Sequence, residues 1–76
     1  MFILIFKVMK ELLYILQVLL VDDIIKCNIK TNDDTEFNDV YDIDLDNNDY
    51  VRIYNNDYGL SLVYINNIKD IHVVKI

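Results

Sequence analysis

Of the first 21 residues 17 are apolar, and the few polar ones are not scattered. At 100° per residue Lys7, Lys10, Glu11, Tyr14 and Gln17 fall within an arc of about 120°, which leaves an apolar arc of about 240°. This predicts an amphipathic helix from about Phe6 to Val21 within a helical segment spanning residues 1–23. A helix with one core contact needs an apolar stripe of only about 100°. The surplus must be covered by something else. Leu12, Leu13, Leu16, Leu19 and Leu20 are the residues expected to form an oligomer interface with further copies of the chain. Residues Met1 to Phe6, a short apolar run, fit either a helix start or a strand.

A membrane span is disfavoured by the same residues. Lys7, Lys10 and Glu11 fall in the middle of any stretch long enough to cross, where each charge is costly. The charge-free run from Leu12 to Val21 is too short, and no cleavable-signal pattern is present. A cytoplasmic location, in the host cell if the gene is viral, is the expectation. Membrane-surface association is retained as an alternative.

After Asp22-Asp23 the period changes from helical to alternating. Ile25-Lys26-Cys27-Asn28-Ile29-Lys30 and Tyr41-Asp42-Ile43-Asp44-Leu45-Asp46 place apolar residues at every second position, the pattern of half-buried strands. Tyr50–Tyr54, Leu60–Ile65 and Ile71–Lys75 read as three more strands. They are punctuated by Asn47-Asn48, by 55–59 and by Asn66-Asn67, which suit tight turns. Thr31 to Asp39 reads as a polar loop. The expected fold is therefore α+β, an N-terminal amphipathic helix followed by a five-stranded antiparallel sheet (residues 24–76) curled into a small barrel.

That order, with the ending Val63-Tyr64-Ile65-Asn66-Asn67-Ile68-Lys69-Asp70-Ile71-His72-Val73-Val74, resembles Sm-like and SH3-like small β-barrel proteins. The resemblance implies barrel architecture and a tendency to form rings. The Sm family's glycine-bearing signature near the last strands is absent, Asn66-Asn67 standing where an Arg-Gly pair is expected. No RNA-contacting residue carries over.

Composition narrows function mainly by exclusion. Thirteen acidic and seven basic side chains give a formal charge of −6 in 76 residues. The excess of Ile and Asn, with one Gly and no Pro or Ala, points to an AT-rich gene such as that of a virus or mobile element. A lone cysteine, Cys27, allows no disulfide, and one His with one Cys offers no metal-ligand spacing. No cofactor is expected. Catalysis would need a partner for His72, and Ser61 lacks a nucleophile elbow, so no enzyme activity is expected.

Two segments remain as candidate sites. Eight acids and no base lie between Asp33 and Asp49. This field repels phosphate, which argues against nucleic acid, and would steer the chain toward a basic protein surface, with Asp42, Asp44, Asp46 and Asp49 as the contact face. Asp42-x-Asp44-x-Asp46 resembles the start of an EF-hand loop but lacks its Gly and its bidentate Glu. Tyr50, Arg52 and Tyr54 project from one strand face, as residues able to grip a protein partner or to stack a nucleotide base. The leading expectation is a self-associating, non-enzymatic inhibitor that binds a host protein. The alternative is an oligomeric binder that sequesters a nucleotide signal.

Overall fold

In a computed structural model the chain describes residues 2–45 and 49–75, with the backbone alone for Phe2–Phe6. One helix, α1 (Phe2–Val21), precedes six strands: β1 (Ile25–Thr31), β2 (Glu36–Val40), β3 (Asp42–Asp44), β4 (Tyr50–Asn55), β5 (Gly59–Tyr64) and β6 (Ile68–Lys75). A 3-10 turn, Ile65–Asn67, joins β5 to β6. The helix starts earlier than the expected Phe6, so the apolar run at the N-terminus is helical from Phe2. It stops at Asp22-Asp23, where Asp23 takes a φ of 56° and its N–H donates to the Leu20 carbonyl at 3.1 Å. Short polar Asp and Asn side chains tolerate this left-handed geometry.

The expected five-stranded curled sheet is not what forms. The strands make two separate antiparallel sheets of three, ordered β2-β1-β6 and β3-β4-β5, and they do not close into a barrel. The difference originates in the segment read as a polar loop. Glu36–Val40 is a strand whose alternation is broken at Asp39, so its buried positions, Phe37 and Val40, are three residues apart rather than two. Opposite it, Cys27 pairs with Val40 and Ile29 with Phe37, so Asn38 and Asp39 together face Asn28. This is a β-bulge, and Asp39 sits in it with a φ of 53° while its N–H donates to Asn28 Oδ1 at 2.9 Å. The bulge turns the chain out of the first sheet. Two residues after Asp39 the Tyr41 N–H donates to the Tyr54 carbonyl, and β3 continues in the second.

The inner faces meet as a common core. Ile25, Cys27 and Ile29 of β1 belong to it together with Val51 and Ile53 of β4 and with Val40, Ile43 and Ile65, all buried. Leu13, Leu16 and Leu20 complete this core as α1 packs across β3, the 3-10 turn and β1. Together with Met9 they occupy one arc of about 60° on the helix. Gln17 sits beside that stripe, and its Oε1 accepts the Leu45 N–H at 3.2 Å. Buried Asn55 ties the layers by donating from Nδ2 to the Asn38 carbonyl at 3.2 Å, while its Oδ1 accepts the Tyr58 N–H. Gly59 closes the β4–β5 hairpin with a φ of 71°.

Burying a leucine side chain stabilises by roughly 1.5–3 kcal/mol, and truncation also leaves a cavity. Leu16→Ala is therefore expected to destabilise by about 2–5 kcal/mol, and Val18→Ala, on the exposed side of the same helix, by no more than about 0.5 kcal/mol. Urea unfolding of the two variants checks this; equal losses would contradict the inward orientation of Leu16.

Candidate interaction face

The second sheet presents an outer face built in register. Across the three strands Asp42 aligns with Tyr54 and Leu60, and Asp44 with Arg52 and Leu62, while Tyr50 aligns with Tyr64. Strand alternation sends Ile43, Val51, Ile53 and Val63 inward and all of these side chains outward. Leu60, Leu62 and Tyr64 are 56, 59 and 62% exposed. An exposed antiparallel face ordinarily carries polar side chains at such positions. Here the edge strand β5 carries two leucines and a tyrosine.

Contacts within the face hold its large side chains in place. Tyr50 and Tyr64 meet edge to face with ring centroids 5.6 Å apart, and Tyr54 stacks obliquely against Tyr41 at 6.4 Å. Such aromatic pairs contribute about 0.5–1.5 kcal/mol each beyond their buried area. Arg52 Nη1 lies 3.9 Å from Asp44 Oδ2, a partly exposed pair that orients the guanidinium more than it stabilises the fold. The predicted trio Tyr50, Arg52 and Tyr54 is thus brought together on one face. Leu60, Leu62 and Tyr64 of β5 lie beside it in register, although their own strand pattern marks no site. Their even-numbered spacing, in register with Tyr50–Tyr54 through the hairpin, was the available signal.

The acidic segment does not fold into one surface. Asp34 lies 3.8 Å from Lys30 Nζ and 3.5 Å from Lys69 Nζ, and Glu36 lies 4.0 Å from Lys30 Nζ, so this part is locally balanced. Asp33 accepts the Thr31 hydroxyl and the Thr35 N–H in the β1–β2 turn, and these bonds, the Thr31 one foremost, hold its carboxyl below the ordinary aspartate value. Asp39 occupies the bulge. Asp42 and Asp44 share the outer face with the tyrosines, Asp49 is exposed at the approach to β4, and Asp46 lies outside the described residues, as do Asn47 and Asn48.

The helix residues expected at an oligomer interface divide. Leu13, Leu16 and Leu20 are enclosed in the chain's own core, Leu19 is partly buried, and Leu12 is 37% exposed. Val8, Ile15, Val18 and Val21, none of them leucines, are the more exposed aliphatic residues of the helix.

Elsewhere the chemistry is sparse. An open groove of about 140 Å³ on the outside of the first sheet is edged by Lys30, Glu36, Asp70 and His72, well below the roughly 300–1,000 Å³ of small-molecule pockets. Ser61 aligns with buried Ile53 on the inner side of the second sheet, and His72 with Asn28 on the first. The two are not brought together. Among the described residues no group of three His, Cys, Asp or Glu side chains converges as a metal site, and no helix is long and apolar enough to cross a membrane.

Compared with known proteins, the chain matches no family model, no curated protein and no solved structure, and nothing in those comparisons bears on the resemblance to Sm-like and SH3-like proteins.

Cys27 is fully buried, and burial raises its thiol from 9.0 to about 11. The folded chain thus keeps a proton that the unfolded chain releases above pH 9. The resulting stability is complete below that pH and is lost as pH rises toward 11, by about 2–3 kcal/mol in all. The unfolding free energy should fall more steeply over this range than that of Cys27→Val. Parallel pH profiles would contradict the assignment.

Proposed function

We propose that this chain is a non-enzymatic interaction protein that grips a protein partner with the outer face of its second sheet. The observation that carries the reading is the exposure of Leu60, Leu62 and Tyr64 in register with Tyr50, Arg52 and Tyr54. Tyrosine and arginine are favoured hot-spot residues, and apolar neighbours exclude water around them. Side chains already held by Tyr64, Tyr41 and Asp44 lose little conformational freedom on binding.

The face also indicates the chemistry of the partner. Its centre is aromatic and aliphatic, and its β3 margin carries Asp42 and Asp44. A partner with an apolar strip flanked by Lys or Arg fits this arrangement. Acidic steering, expected from the 33–49 segment as a whole, reduces to this margin. It then acts on association rate and orientation rather than supplying most of the affinity.

The test is site-specific photo-crosslinking in cells that express the chain. A crosslinker at Leu62 is expected to trap one protein, and one at Asn38 on the outside of the first sheet is not. Tyr64→Asp should abolish the Leu62 adduct with the fold intact by circular dichroism, and high salt should weaken capture only in part. Equal adducts from both positions, or complete loss in salt, would contradict the proposed face.

A further inference from the structure

The helix carries a second apolar seam. Val8, Leu12, Ile15 and Leu19 are spaced four, three and four residues apart and lie within an arc of about 60°. This seam sits about 100° around the helix from the buried Met9, Leu13, Leu16 and Leu20 stripe. Its spacing is that of a coiled-coil seam, narrower than the face a helix presents to a globular core. Val8 and Ile15 are 57 and 58% exposed, and Leu12 and Leu19 lie at the boundary with the inner stripe.

We infer that this seam pairs with the same seam of a second copy of the chain, the two helices running antiparallel about a two-fold axis. Val8 of each copy then meets Leu19 of the other, and Leu12 meets Ile15. An isologous contact of this kind closes on itself and needs no further partner.

Charge selects the second copy and its direction. The first turn of α1 holds no acid and the last turn no base. Lys7 lies in the second turn of α1, and Asp22-Asp23 directly follow its electronegative end, where acids oppose the helix's own dipole. Antiparallel pairing brings the lysine of one copy to the acids of the other. In the stated register Lys7 lies level with residue 20 of the second copy, so Asp22 there is only about 3 Å further along the axis, within reach of a lysine side chain. Lys7, Glu11 and Asp22 occupy the same flank of the seam, and antiparallel packing sets that flank against its equivalent. Parallel pairing would instead bring like ends of the two helices together and leave Lys7 and Asp22 at opposite ends of the pair. One helix seam on each side falls at the low end of stable interface areas, so the pairing belongs at micromolar concentration.

Light scattering after size exclusion should give twice the 9.1 kDa chain mass at high micromolar concentration. Ile15→Lys should give the single-chain mass with unchanged circular dichroism, its position being exposed in the fold. Lys7→Glu should weaken the dimer about two- to fivefold, and Lys7→Glu with Asp22→Lys should restore it. Oxidation of the Val8→Cys, Leu19→Cys double variant should link two chains, whereas Val8→Cys alone should not. A single-chain mass at high micromolar concentration, or a dimer unaffected by Ile15→Lys, overturns the interface. Linkage by Val8→Cys alone overturns its direction.

Discussion

The packing of Leu13, Leu16 and Leu20 against both sheets is the contact on which the rest of the structure depends. Each sheet has only three strands, near the minimum for an independently stable unit. The helix crosses β3, the 3-10 turn and β1, so one stripe of leucines completes the core that the two sheets share. The Asp39 bulge is the complementary constraint, since it passes a nearly continuous chain from one sheet to the other. Asn28 and Asn55 fix that passage with side-chain hydrogen bonds to the bulged strand.

This arrangement determines which surfaces are left for function. The inner faces of both sheets and one stripe of the helix are committed to the core. Of the apolar side chains left exposed beyond it, two groups are ordered along one element face, on the outer side of β4 and β5 and along the second seam of α1, while Val18, Val21, Ile24, Tyr58, Val73 and Val74 lie outside both. One is a rigid aromatic and aliphatic face with an arginine at its centre, suited to a protein partner. The other is a narrow helical seam with opposite charge at its two ends, suited to a copy of itself. The two surfaces have different chemistry.

Much of the element order was legible because single residues carried it. The polar arc of Lys7, Glu11 and Gln17 marked the helix, and the alternation around Cys27 and Ile53 marked β1 and β4. The sheet arrangement was not legible, since β2 breaks the period on which strand reading relies. Asn38-Asp39 reads as loop chemistry, and only the pairing of β1 with β2 shows it to be a bulge. Strand β6 begins at Ile68, earlier than the expected Ile71, because its exposed edge position weakens alternation. For the interaction face, Tyr50, Arg52 and Tyr54 were visible on their own strand, whereas Leu60, Leu62 and Tyr64 join them only through register. On the helix a similar ambiguity holds. Leucine identity does not distinguish two seams about 100° apart, and the inward one took Leu13, Leu16 and Leu20.

A chain this small buries only about 60% of the surface its unfolded state exposes, and one with a second apolar seam gains stability by covering it. That is the central claim, and mass action makes it measurable: association of folded chains raises apparent stability with concentration. The thermal unfolding midpoint followed across a dilution series through the micromolar range tests it most directly. The account predicts a midpoint that rises steadily with protein concentration. A midpoint independent of concentration throughout that range would contradict it.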